Sequence, residues 1–115
     1  VLVADDVPNN LFLMQSILES YPFELHLAHN GKEACEIAQN VQPNLILMDI
    51  KMPIMDGKEA LKQLRAQPDT CEIPVIALTA FSLKQDQESL IQQGFNDYLS
   101  KPVNKSDLII CLSNI

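Results

Sequence analysis

Leu45-Ile46-Leu47-Met48-Asp49-Ile50-Lys51-Met52-Pro53-Ile54-Met55-Asp56-Gly57 opens as an unbroken apolar run and closes on turn residues. Four apolar residues in succession, without polar alternation, describe a strand covered on both faces, the condition of inner strands in a parallel sheet. Asp49 ends that run, so its carboxylate is carried to the rim of the sheet on a rigid element. Asp56-Gly57 reads as a turn in which glycine supplies positive φ before a helix starting near Lys58.

Outward from this segment the same alternation recurs. Strand candidates lie at residues 1–4, 23–28, 45–48, 75–78 and 97–99; the first, third and fourth are unbroken apolar runs, whereas residues 23–27 alternate as an edge strand would. Between them, Leu11, Met14, Leu18 and Tyr21 recur at three- and four-residue steps and predict a helix over residues 9–21. Further helices are expected near residues 31–40, 58–67, 82–93 and 104–115, with Ser82-x-x-Gln85 resembling a capping box and Gly94 suited to closing a helix. Five strands alternating with five helices predict an α/β fold, a doubly wound parallel sheet with right-handed crossovers and helices on both faces. With no internal repeat or flexible linker, residues 1–115 are expected to form one domain.

Composition excludes several classes. The apolar share is ordinary for a globular protein, and no apolar run approaches the ~20 residues that span a bilayer. No charged leader precedes the apolar run at Val1, so no signal peptide is visible and a cytoplasmic location without membrane contact is expected. A net charge of −7 argues against a nucleic-acid surface and favours cations or basic partners. Cys35, Cys71 and Cys111 form no Cys-x-x-Cys and read as reduced packing residues. His26 and His29 lack a third ligand nearby, so a metal role is not expected of them. Met14, Met48, Met52 and Met55 follow no single helical face and read as core or loop packing.

In open parallel sheets, ligands bind beyond the carboxyl ends of the strands. Those ends carry Asp5 and Asp6, then Asp49, Thr79 and Lys101. Clustered carboxylates repel one another and take up protons unless a hard cation holds them ionised, a requirement that Mg²⁺ meets. A carboxylate at Asp49 can act as a nucleophile on phosphorus, with a divalent ion and Lys101 neutralising the charge that builds up. Taken singly, each residue has a plainer reading. Asp5-Asp6 could cap the helix that Pro8 opens, Asp49 could belong to a turn, Thr79 could cap a helix, and Lys101 could be a solvated loop charge. Their convergence on one sheet edge favours phosphoryl transfer.

Val3-Ala4-Asp5-Asp6, Met48 through Gly57, Leu78-Thr79-Ala80 and Tyr98-Leu99-Ser100-Lys101-Pro102 together resemble the response regulator receiver family, end to end and in order. The resemblance implies a flavodoxin-like sheet of order 2-1-3-4-5. It implies that Asp49 accepts a phosphoryl group from a phosphohistidine of a histidine kinase or histidine phosphotransfer protein. It also implies that Asp6, Asp49 and the Lys51 backbone carbonyl hold Mg²⁺, with Asp5 helping through a water. Thr79 would hydrogen-bond a phosphoryl oxygen, Lys101 would pair with the phosphoryl group, and Tyr98 would be the aromatic switch. The Lys101-Pro102 bond is cis in this family. Asp5-Asp6-Val7-Pro8-Asn9-Asn10 and the loop from Lys51 to Gly57 most resemble receivers attached to hybrid sensor histidine kinases, with a transcription factor's receiver as the alternative, and a monomer or weak dimer is expected.

Two rivals share parts of this pattern. A phosphohydrolase of the haloacid dehalogenase type needs a second Asp two positions after its nucleophile, where this chain has Lys51. A flavodoxin-like cofactor module cradles a phosphate after its first strand, where Asp5 and Asp6 would repel one. A domain with a dead site is disfavoured by intact Asp49, Thr79 and Lys101. Lys51 and Phe81, each two residues after a site residue, are expected to border its mouth and slow hydrolysis of the acyl phosphate.

Overall fold

Among the described residues each of the five strand candidates gives a strand and each helix candidate a helix, although the second strand is confined to residues 26–28 of the 23–28 expected. A computed structural model describes residues 1–22, 24–80, 84–101 and 103–113. In chain order the elements are β1 (Leu2–Ala4), α1 (Pro8–Leu18), β2 (His26–Ala28), α2 (Gly31–Val41), β3 (Ile46–Asp49), α3 (Gly57–Ala66), β4 (Val75–Thr79), α4 (Lys84–Gln92), β5 (Asp97–Ser100) and α5 (Lys105–Ser113). The sheet has the order β2-β1-β3-β4-β5 and is parallel throughout. The chain turns one way from β1 to β2 and the other way to β3, so the crevice beyond β1 and β3 is the switch point of this flavodoxin-like topology.

The period-two alternation of the inner strands divides the core in two. Leu2, Ala4, Ile46, Met48, Val75 and Ala77 face a layer formed by Ala34, Cys35 and Ala38 of α2, Ala60, Leu61 and Leu64 of α3, and Leu90 of α4. Val3, Leu47, Ile76 and Leu78 face Leu11, Met14 and Leu18 of α1 and Leu108 and Cys111 of α5. Both faces are covered, which is why β1, β3 and β4 carry no polar alternation. Among the described residues, no helix is long and apolar enough to cross a membrane.

Several expectations shift in detail. α1 ends at Leu18 rather than continuing to Tyr21, which sits in the following turn with its N–H donating to the Leu18 carbonyl. Neither Asp5 nor Asp6 caps α1: the cap position is Val7, without a side-chain hydrogen bond, and Pro8 opens the helix as its fixed φ allows. Gly94 closes α4 with a φ of 112°, as expected. The turn at Asp56-Gly57 is corrected. Positive φ falls on Ile54, at 68°, while Asp56 caps α3 by accepting the Glu59 N–H at 2.8 Å and Gly57 is the first helical residue. What Gly57 supplies is a missing side chain, because a Cβ there would stand 2.2 Å from the Asp49 carbonyl oxygen. Expectations placed on Phe23, Phe81, the Ser82 cap, Pro102 and its peptide bond, and residues 114–115 lie outside the described residues.

Candidate functional site

Four strand ends bring the site together. Asp5 follows β1 and stays on the sheet because its N–H donates to the Ala28 carbonyl at 3.0 Å. Its side chain is buried, and Oδ1 accepts the Val7 N–H at 2.9 Å, while the neighbouring Asp6 is exposed. Asp49 is the last residue of β3 and 5% exposed; the pairing continues past it, with the Ile50 N–H donating to the Leu78 carbonyl at 3.2 Å. Thr79 ends β4 and is buried, and its carbonyl accepts the Lys101 N–H at 2.8 Å, which fixes the exit of β5. From there the Lys101 ammonium reaches Asp49 Oδ2 at 2.7 Å and Asp5 Oδ2 at 3.2 Å.

One carboxylate oxygen each from Asp5, Asp6 and Asp49 lie within 4.8 Å of one another. Burial pushes the Asp49 carboxyl above its ordinary value, an effect that the Asp5 charge reinforces and that the hydrogen bond from Lys101 only partly offsets. Burial alone would lower the Lys101 ammonium, but the hydrogen bonds and charges of Asp49 and Asp5 outweigh it and the net shift is upward. The Lys101 charge by itself does not balance three acids. The cluster is an all-oxygen donor set with surplus negative charge and two buried members, a combination suited to a hard divalent cation such as Mg²⁺ and not to a soft metal.

A cleft of about 290 Å³ opens beside these groups, bordered by Asp6, Asp49, Lys51, Thr79 and Lys101 with Val7 as part of its apolar wall. The five strand-end residues singled out from the sequence are therefore brought together, and Lys51 joins them, its N–H donating to Asp49 Oδ1 at 3.3 Å. Tyr98 stands apart, half-buried on β5 two residues before Ser100, which is the register partner of Thr79; it borders a separate hollow with Asp97 and Cys111. His29 pairs with Glu33 at 3.0 Å and His26 lies 3.3 Å from Glu24, both away from the acid cluster. Cys35, Cys71 and Cys111 are free thiols, and burial pushes Cys35 and Cys111 up to about 11, which leaves them unreactive. Sequence reasoning missed the Lys101 to Asp5 bridge. No local signal encodes it, since it arises from the separate positions of the β1 and β5 ends in one sheet.

The family model for the response regulator receiver domain matches residues 1–113. The polar-differentiation response regulator DivK of Brucella anthropi is 38% identical over 104 residues, which cover 90% of this chain and 85% of that one. The receiver domain of sensor histidine kinase PA1611 from Pseudomonas aeruginosa, solved with a magnesium ion coordinated in its active site cleft, superposes with a TM-score of 0.89 at 35% identity over 98% of this chain and 93% of that one. The receiver domain of Ssk1 from Saccharomyces cerevisiae, solved in complex with the histidine phosphotransfer signaling protein Ypd1, gives a TM-score of 0.88 at 31% identity over 97% of this chain and 84% of that one. The sheet order, the acid-rich crevice at its switch point and a match spanning nearly the whole length agree: the chain belongs to the response regulator receiver domain family, the phosphoacceptors of two-component signalling.

Proposed function

We propose that Asp49 is the residue that takes the phosphoryl group, with Lys101 and Thr79 as its partners. The observation that carries this reading is the position of Asp49: a buried carboxylate on the last residue of an inner strand, 2.7 Å from the Lys101 ammonium and within one cluster with Asp5 and Asp6. Asp5 is more buried still, but it stands behind the cleft that Asp49 borders.

The donor in this reading is a phosphohistidine on a kinase or phosphotransfer protein. An Asp49 carboxylate oxygen forms the new P–O bond as the P–N bond breaks, and the imidazole leaves with the bonding pair and takes up a proton. Asp6, Asp49 and the Lys51 carbonyl would hold Mg²⁺, with Asp5 acting through a water. When bound, the ion offsets the charge of the acids and of the phosphoryl oxygens. Lys101, now shared between Asp49 and Asp5, would turn its ammonium to a phosphoryl oxygen, and the Thr79 hydroxyl would donate to another. Withdrawal of Thr79 toward the phosphoryl group would leave room for Tyr98 to turn inward and alter the surface around β5, which a partner can read if it binds the two states unequally.

The test is incubation with a small acyl phosphate and Mg²⁺, followed by intact mass. One added phosphate is expected, lost in Asp49→Ala. Undiminished labelling of that variant would place the acceptor elsewhere.

A further inference from the structure

The loop that follows Asp49 is held from outside the site. Its base is closed by the Gly57 N–H donating to the Ile50 carbonyl at 2.9 Å, and a tight turn inside it joins the Met55 N–H to the Pro53 carbonyl at 2.7 Å across Ile54. Ile54 is a β-branched residue with φ at 68° and is 79% exposed, so the turn is strained at a residue whose own side chain has no burial to hold it, while Met52 and Met55 on either side pack partly against the core. Its external tether comes from α2. The Gly31 N–H, one of the first-turn donors that a helix leaves without an internal partner, donates to the Met55 carbonyl at 2.8 Å. Contact is close enough that a Cβ on Gly31 would stand 2.4 Å from that same oxygen and 2.9 Å from the Asp56 carbonyl oxygen. These neighbours are backbone atoms, which cannot swing aside as a side chain can. The loop would have to move as a unit.

We propose that Gly31 is a positioning residue for phosphoryl transfer: by fixing Met55 it sets where the backbone from Lys51 to Asp56 lies relative to Asp6 and Asp49. The inference rests on the reading of the acid cluster and the Lys51 carbonyl as the cation site. Gly31 touches neither substrate nor cation, and it sits on a helix that contributes no side chain to the cleft. Its influence passes through a single hydrogen bond and the absence of one carbon. Asp49 itself is fixed by β3, so a displaced loop should alter cation binding before it alters the nucleophile. By linkage, if the Gly31 to Met55 bond favours the cation-binding arrangement, the cation must favour the bond.

Gly31→Ala should therefore bind Mg²⁺ about tenfold more weakly, at the lower end of what outer-shell changes cost a metal site. Leu18→Ala, which hollows the core layer under α1 on the opposite face of the sheet from the loop's methionines, serves as the control, because it lowers stability through the other core cluster and should leave Mg²⁺ affinity unchanged. In the unaltered protein, amide exchange at Gly31 should slow when Mg²⁺ is added, a readout that needs no variant to fold. Mg²⁺ affinity in Gly31→Ala equal to that of the parent, or Gly31 exchange indifferent to Mg²⁺, would overturn the proposal. If Asp6→Ala binds Mg²⁺ as the parent does, the reading of the cation site fails instead and the proposal falls with it.

Discussion

Lys101 Nζ stands 2.7 Å from Asp49 Oδ2 although 52 residues separate them, and 3.2 Å from Asp5 Oδ2. It is the cation that lets two buried carboxylates share one crevice in the absence of metal. Lys101→Met should therefore destabilise the metal-free protein by about 1–3 kcal/mol, less than for a fully buried pair because the lysine side chain remains 23% exposed. Saturating Mg²⁺ should narrow that gap by supplying the missing charge. Urea unfolding of parent and variant, with and without Mg²⁺, measures both; a loss that Mg²⁺ leaves untouched would contradict this account of the cluster.

The elevated Asp49 carboxyl gives cation binding a pH dependence. Its value in the folded protein lies above the ordinary 3.8, chiefly through burial, so the folded state holds this proton more tightly than the unfolded chain does. Its contribution to metal-free stability is full below 3.8 and is lost as pH rises through the elevated value. Lys101 is also raised, so its contribution is full below 10.5 and is lost as pH rises through its own elevated value. Mg²⁺ and the proton compete for Asp49. Affinity should be flat above the elevated value and fall with acidification below it, by up to about tenfold per pH unit. Calorimetric titration across the acid-to-neutral range checks this, and an affinity indifferent to pH there would count against Asp49 as a ligand.

Gly57→Ala should cost about 1–3 kcal/mol, the usual range for inserting a carbon where none fits. The new Cβ would meet the Asp49 carbonyl oxygen at 2.2 Å and the Ile50 Cα at 3.0 Å, both backbone. Ile54→Gly should have the opposite sign, because it removes a β-branched residue from φ of 68° without uncovering any core. Thermal unfolding of the two variants side by side tests the assignment, and a stabilised Gly57→Ala would refute it.

That contrast shows where sequence reading stops. Asp-Gly is a strong turn signal, but whether glycine is needed for its φ or for its lack of Cβ depends on what lies against it. Here that neighbour is the end of β3, eight residues earlier in the same loop closure. The inner strands β1, β3 and β4 were legible because burial on both faces leaves an unbroken apolar mark, and Asp49 and Thr79 were legible because each directly follows such a run, whereas Lys101 was legible only as the residue after the short, mixed strand β5. The limit of α1 was not: Tyr21 continues the helical spacing of Leu11, Met14 and Leu18, yet Pro22 follows it and the helix stops at Leu18. The Lys101 to Asp5 bridge and the Gly31 tether join segments that no local pattern links.

How long the acyl phosphate lasts should depend on Lys51. Hydrolysis needs water in line with the Asp49 oxygen, so a side chain at the mouth of the cleft governs the rate by blocking or ordering that approach. Lys51 borders the cleft, and its backbone N–H reaches Asp49 Oδ1 at 3.3 Å, which keeps the residue beside the acceptor. Its side chain is exposed and carries a long stem and a positive charge, but no carboxylate or amide to hold a water for attack. Lys51→Asn removes the stem and adds an amide that can orient one water. A single such hydrogen bond, worth about 1 kcal/mol, corresponds to roughly fivefold faster decay. Phe81, expected to act in the same way, lies outside the described residues, so the weight falls on Lys51. Decay of the phosphorylated protein under saturating Mg²⁺, followed by intact mass in parent and Lys51→Asn, decides the matter. Equal lifetimes would mean that the side chain stays in solvent and leaves the path of the water open.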